Sequence, residues 1–458
     1  MTVAENAMGV PWRIRLAYGA PAFALAVVGI PIYVFIPKFY TDVVGVPVAA
    51  VGAVLLAVRL FDAVTDPLVG MASDRTRSPF GRRRPYIAAG GVLVALAVAF
   101  LFMPPVHPGA NATLWFGTWM FLLFFFWTTV TVPYESLGPE ITFDYRQRTA
   151  VFAVRDGLLI AGTVAAAAAP RIVSTLLDAA GMDSGQRSVF AGMAVLYAPL
   201  LILTCIGCTL IVREPPPPRK APHAPAGIDL RSVLSNRPFI VLLAAYTVSA
   251  VGSNLPATLI LFYVEHVLQS QRADLFLMLY FVTGIIALPA WTLAAGRFDR
   301  KRVWLVSMAL NTGAFSGVFF LGAGDEFLYG LLVSLSGLGF GASLALPSAI
   351  QADVIDYDEW QTGRRREGLY VGIWSVAKKA AAAAGLGGGL WALGVAGYEP
   401  NANQSDTVLM TLRVAYALVP SICSFLAILI ALAYKLDRNT HEEIRRLIAA
   451  RNMAAASG

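Results

Sequence analysis

The sequence is short of charge. Asp, Glu, Lys and Arg make up 14% of its 458 residues, against 57% hydrophobic ones, whereas soluble domains carry about 25% charged residues. A water-soluble fold cannot hide that much apolar side chain, so the deficit excludes one. Cysteine is scarce as well. Cys205 and Cys208 share one apolar run and Cys423 sits in another, which rules out a disulfide framework or a zinc site. The four histidines, His107, His223, His266 and His441, fall on loops and segment ends with no H-E-x-x-H spacing. No metal centre or cofactor is therefore expected. The glycines at 385 and 387–389 follow no strand, so they read as points of close helix approach and not as a phosphate cradle. No nucleotide motif, catalytic triad or nucleic-acid motif is present, and the chain is not read as an enzyme.

What is present is apolar sequence in uninterrupted runs of spanning length, about 20 residues each. The first, from Leu16 to Pro37 behind Arg13 and Arg15, is too long for a signal peptide and reads as span 1. Further runs near 45–71, 86–104, 114–138, 151–177 and 188–212, then 238–264, 273–296, 303–322, 327–350, 368–396 and 407–434, predict an all-α membrane protein with twelve transmembrane helices. Its net charge of +7 has a topological meaning. One set of loops, with both termini, holds 26 of the 35 Lys and Arg, and the other holds only Lys38, Arg187 and Arg272. The positive-inside rule then makes both termini cytoplasmic, in a cell (inner) membrane. The basic residues are a topology signal, and no nucleic-acid partner is expected.

The segment 213–237 contains Pro215 to Pro218, which can neither continue a helix nor cross lipid. It reads as a cytoplasmic linker between a six-helix bundle at 1–212 and another at 238–434, with a cytoplasmic tail at 435–458. Weak internal symmetry supports two halves. A basic turn follows the second span of each: Asp74-Arg75 with Arg82-Arg83-Arg84, then Asp299-Arg300-Lys301-Arg302. Pseudo-symmetric halves around a midplane site are a carrier architecture, and these turns are its candidate gating loops.

The chemistry concentrates in span 2. Asp62 and Asp66 are four residues apart and share one helix face. An ionisable group within a span costs at least about 2.5 kcal/mol, and like charges add repulsion. A bound cation, a shared proton or a basic group must offset this. Sodium would suit carboxylate oxygens joined by Thr128, Thr129 or Thr131 of span 4, and a proton would suit one carboxylate. The bland alternative is that Arg59, three residues before Asp62, neutralises it and locks helices together. In span 4, Pro133 allows a kink beside Tyr134, a candidate solute contact, and Glu135, which reads equally as proton relay, substrate contact or helix lock. Arg155 opens span 5 beside Asp156, where snorkelling to the interface is its bland reading. Lys378 and Lys379 lie deep in span 11, and one of them should face a cavity, with Trp374 as a neighbouring aromatic candidate.

Together these segments resemble the glycoside-pentoside-hexuronide:cation symporter family of the major facilitator superfamily. The likeness runs through Tyr40-Thr41-Asp42-Val43-Val44-Gly45, the Arg59 to Gly70 segment, and Arg75-Thr76-Arg77-Ser78 with Gly81-Arg82-Arg83-Arg84-Pro85. It continues in Val132-Pro133-Tyr134, Arg148, Arg155, and Ala352 to Tyr357 through Glu367 to Lys379. The resemblance implies the major facilitator fold and, as in the family's melibiose carriers, a sodium or proton site at Asp62 and Asp66 helped by Thr128. It also implies that Arg155 and Lys379 lie near the solute. Where those carriers grip sugar with an aspartate of span 1, this chain has Ala26, preceded by Leu25. Thr131, Glu135 and Leu344 likewise replace family residues. Loss of a hydroxyl-binding carboxylate removes most galactoside discrimination.

The function expected is secondary active symport of a glycoside, sugar acid or related small solute, coupled to sodium or protons. The rival readings are a carrier for a lysophospholipid or other amphipathic anion, and a non-transporting structural or sensory membrane protein. The bilayer and a small-molecule substrate are the expected partners, and a monomer suffices because one chain can form its own cavity.

Overall fold

The computed structural model describes residues 10–105, 111–142, 145–214, 233, 235–363 and 367–457. Most of the expected linker, at 215–232 and 234, lies outside the described residues. Every regular element among them is a helix, as apolar hydrocarbon requires of an open chain that must satisfy its own backbone. In order they are α1 (Trp12–Phe39), α2 (Val48–Arg75), α3 (Arg84–Phe102), α4 (Ala112–Ile141), α5 (Tyr145–Ala179), α6 (Gln186–Ile211) and α7 (Arg237–His266). There follow α8 (Ala273–Arg297), α9 (Arg300–Val318), α10 (Glu326–Thr362), α11 (Glu367–Val395), α12 (Asp406–Leu432) and α13 (Arg438–Ser457). Gly45, at φ 87°, takes the left-handed conformation that ends the turn after α1, where a side chain would be strained.

Ten of the described helices are long and apolar enough to cross a membrane. The sequence reading expected twelve spans. The other two, α9 and α11, are present as helices, but Arg300, Lys301 and Arg302 dilute one and Lys378, Lys379 and a glycine run dilute the other. The chain is a multi-pass membrane protein. Large apolar side chains such as Leu203, Leu210, Ile286 and Leu293 are exposed on helix exteriors, the surface that lipid solvates.

The chain divides into two compact units. Unit 1 comprises Met1–Ala221 with Leu390–Asn403, and unit 2 comprises Pro222–Gly389 with Gln404–Gly458. Within unit 1, α1 packs on α5 and α6, α3 on α4 and α6, and α2 on α4. Gly162 allows the first of these, because a Cβ there would sit 2.5 Å from the Phe23 carbonyl. In unit 2 the same pairings recur: α8 and α9 on α10, α9 on α12, and α7 on α11 at Gly385 and Gly389. Gly337 serves α8–α10 as Gly162 serves α1–α5, with Thr283 Oγ1 only 2.1 Å from where its Cβ would be. Small residues let backbones approach, and in lipid that contact replaces the hydrophobic effect as glue.

Candidate cation and solute site

Four-residue spacing does on α2 what it predicts. Asp62 (6% exposed) and the half-buried Asp66 turn the same way, toward Thr128 of α4. The Thr128 hydroxyl lies 2.7 Å from Asp62 Oδ1 and 3.0 Å from Asp66 Oδ1. A threonine hydroxyl carries one proton. It can donate to one of these oxygens. The other short contact is then met by sharing that proton, by a proton on the carboxyl donated back to the hydroxyl, or by a cation between the oxygens. Geometry of this kind can accommodate one extra positive charge.

Arg59 meets the same cluster from the side. Its Nη1 is 3.5 Å from Asp62 Oδ2, at the outer limit of a hydrogen bond. Its guanidinium lies over the rings of Tyr33, at 4.4 Å, and Phe124, at 4.8 Å. The buried Arg59 Nε has no hydrogen-bond partner among the described residues. Aromatic faces therefore hold this cation as much as the carboxylate does. Tyr33 and Phe124 escaped sequence reading because cation–π pairing between helices leaves no trace in spacing.

The other span 4 threonines turn elsewhere. Thr129 donates to the Phe126 carbonyl at 2.6 Å and Thr131 to the Trp127 carbonyl at 3.0 Å, both on their own helix. Of the three, only Thr128 reaches the carboxylates. Tyr134 is 3% exposed, donates to the Tyr18 carbonyl at 2.6 Å and stacks on the Tyr18 ring at 4.9 Å. Its proton is committed to joining α4 to α1. Glu135, the next residue, is exposed. Arg155 bonds Asp156 beside it at 2.7 Å and covers the Phe152 ring at 4.6 Å. Ala26 nests against Gly162, whose Cβ would be 3.0 Å away, so the position of the missing aspartate is used for α1–α5 packing.

In unit 2, Trp374 was expected beside a cavity. It is instead 8% exposed, belongs to the hydrophobic core and stacks on Tyr246 at 4.2 Å. Lys378 is exposed and Lys379 half-buried on α11. The Leu344 and Arg148 side chains lie outside the described residues.

The basic turns make dense ion pairs within each unit. Arg82 binds Glu140 of α4 at 2.6 Å and Glu214 at 3.1 Å, while Arg83 binds Asp74 and Glu140, each at 2.9 Å. Burial alone would lower the Arg82 pKa, but the bonds to Glu140 and Glu214 outweigh it and raise the value. Arg300 of the second turn binds Asp353 of α10 at 2.5 Å. Asp299 sits at the start of α9 without capping it through its side chain, and Arg75 closes α2. Glu214 had no sequence signal, since it stands at the edge of the proline run.

The sequence matches the family described as MFS/sugar transport protein over residues 17–438. The chain belongs to that family, the glycoside-pentoside-hexuronide:cation symporters of the major facilitator superfamily. It is a membrane transporter and not an enzyme. Similar proteins include an uncharacterized symporter of Synechocystis sp., 24% identical over 98% of this chain and 99% of the relative. A glucuronide carrier protein homolog of Escherichia coli is 26% identical over 94% of each. Among solved structures, the nucleoside transporter NupG superposes with a TM-score of 0.65 at 11% identity, over 92% of this chain and all of that one. That likeness shows the major facilitator fold, and the transporter's carboxylate pair lies within it.

Proposed function

We propose that this transporter performs cation-coupled symport of a sugar-like solute by alternating access, with Asp62, Asp66 and Thr128 as the coupling site. The observation that carries the reading is the single Thr128 hydroxyl shared by the buried Asp62 and the half-buried Asp66, an arrangement that a proton or a sodium ion between the carboxylates would complete. Cation binding would favour the state that takes up solute, and the coupling follows from differential affinity for the two states. The full twelve-span arrangement as two six-helix bundles, with both termini cytoplasmic in the inner membrane, belongs to this proposal. In unit 1, Arg155 supplies a cationic contact to the solute and Glu135 a polar one. Thr131 remains a lesser candidate for the cation shell, since its hydroxyl oxygen can still accept.

The solute we assign is a sugar acid or glycoside with a reduced need for a hydroxyl-gripping carboxylate, since Ala26 stands where melibiose carriers have an aspartate. The glucuronide carrier homolog points to the same class by its name. Uptake into proteoliposomes, screened over sugar acids and neutral glycosides with imposed sodium or proton gradients, tests this directly. Gradient-driven uptake that Asp66→Asn abolishes is the expected result. Uptake independent of both gradients in the wild-type protein would overturn the coupling.

A further inference from the structure

A cavity of about 200 Å³ opens in unit 2 where α8 and α12 end. The apolar spans of those helices finish at Arg297 and Leu432, so the cavity lies where hydrocarbon gives way to headgroups. The α8–α9 turn forms one wall, and α13 supplies another with His441 and Arg445.

Much of the charge around it is already used. Arg300 holds Asp353. Lys301 donates to the Leu432 and Tyr434 carbonyls at 2.9 and 2.6 Å, closing the end of α12. His441 Nε2 is 3.0 Å from Asp356 and 3.5 Å from Asp353. Three lining side chains have no hydrogen bond or ion pair among the described residues: the Asp299 carboxylate, the Arg445 guanidinium and the Tyr434 hydroxyl. Tyr434 is 4% exposed. Burial first, and then the negative charges of Asp353 and Asp299, push its phenol above the ordinary value, while Arg300 opposes them. It is a neutral hydroxyl with those three side chains about it. An unmet buried hydroxyl is costly, about 1–3 kcal/mol, and a ligand would remove that cost.

One anion, one cation and one neutral hydroxyl are the complement of a zwitterion. We infer that this cavity is a second ligand site, distinct from the α2 carboxylates, for the phosphate–ammonium group of a zwitterionic lipid such as a phosphatidylethanolamine. The phosphate meets Arg445, the ammonium meets Asp299, and Tyr434 bonds the phosphate oxygen. A purely anionic headgroup would bring its charge beside Asp299 and supply no cation to answer that carboxylate. Occupancy would tie α13 to the α8–α9 turn and to the end of α12.

The test uses the full chain in detergent, with binding and Tm measured against short-chain phosphatidylethanolamine, short-chain phosphatidylglycerol and water-soluble phosphoethanolamine. Phosphatidylethanolamine should bind and raise Tm, and phosphatidylglycerol should do so far less. Tyr434→Phe removes a hydroxyl that has no hydrogen bond among the described residues, so the unliganded Tm should hold while headgroup affinity falls about 10-fold. Arg445→Gln should weaken binding similarly. Any sodium response of Asp62 and Asp66 should be unchanged in both variants, which separates this site from the coupling site. Binding by the lipid alone assigns the source to the bilayer, whereas equal binding by phosphoethanolamine keeps the zwitterion site and assigns a free solute. Equal affinity for phosphatidylglycerol, or unaltered binding in both variants, would overturn the inference.

Discussion

Helices α2 and α8 occupy the same place in their units, each packed on a partner helix and each leading into a basic turn, yet they are joined to those partners by different chemistry. Registered on Asp74 and Asp299, Asp62 falls opposite Ala287 and Asp66 opposite Trp291. In unit 1 the carboxylates meet the Thr128 hydroxyl of α4. In unit 2 the Trp291 indole donates to the Leu338 carbonyl of α10 at 2.7 Å. Unit 2 thus shows that the helix pair can be fastened without an ionisable group. Each carboxylate in unit 1 costs at least about 2.5 kcal/mol in a span, so packing does not account for the pair. The proposed coupling cation would.

The comparison breaks most visibly if the carboxylates are dispensable. Asp62→Asn and Asp66→Asn keep size and hydrogen bonding but remove the charge, and each should lower cation affinity about 100-fold while the protein still folds. Cation dependence of uptake in proteoliposomes reads this out. The basic turns offer a second contrast. Arg82 is 15% exposed and grips two carboxylates, whereas Arg300 is 43% exposed and grips one. Arg82→Gln should cost about 1.5–3 kcal/mol of stability and Arg300→Gln about 1 kcal/mol or less, measured as Tm. Thr128→Val removes the shared hydroxyl at constant shape and should weaken cation binding about 10-fold, with uptake recovered at high cation. Trp291→Phe, its counterpart in unit 2, should cost about 1 kcal/mol of stability and leave cation dependence intact.

The smallest effect belongs to the α13 tail helix, which has no counterpart among the described residues of unit 1. Asp437 accepts from the Thr440 backbone N–H at 2.9 Å and from its hydroxyl at 2.6 Å, capping the helix. These bonds hold its carboxyl below the ordinary value of 3.8. The cap is therefore fully present above that ordinary value and is lost as pH falls through the lowered one. Asp437→Ala should cost about 1 kcal/mol of local stability, seen as faster amide exchange across α13 and no further loss on acidification.

Helix positions and the acidic face of α2 were legible because apolar runs and i, i+4 spacing are written along the chain. Contacts across helices were not. Thr128, Thr129 and Thr131 were equivalent by position, and what separates them is the turn of α4 relative to α2, a matter of packing. Trp374 lay near lysines in sequence yet stacks on Tyr246, because aromatic area in unit 2 is worth more in the core. Tyr134 was read as a solute contact, and its bond to the Tyr18 carbonyl could not be anticipated from a proline-tyrosine pair. Helix ends drifted as well: α10 was expected to stop near 350 but continues to Thr362, where charged residues no longer mark the limit of the helix, only that of the membrane.

Calorimetric titration of sodium into purified protein at several pH values tests the central claim most directly. If two carboxylates share one positive charge at Thr128, wild-type protein binds one cation per chain, sodium and protons compete, and neither Asp62→Asn nor Asp66→Asn shows the competition. Sodium or proton binding that persists unchanged in both variants would contradict the account.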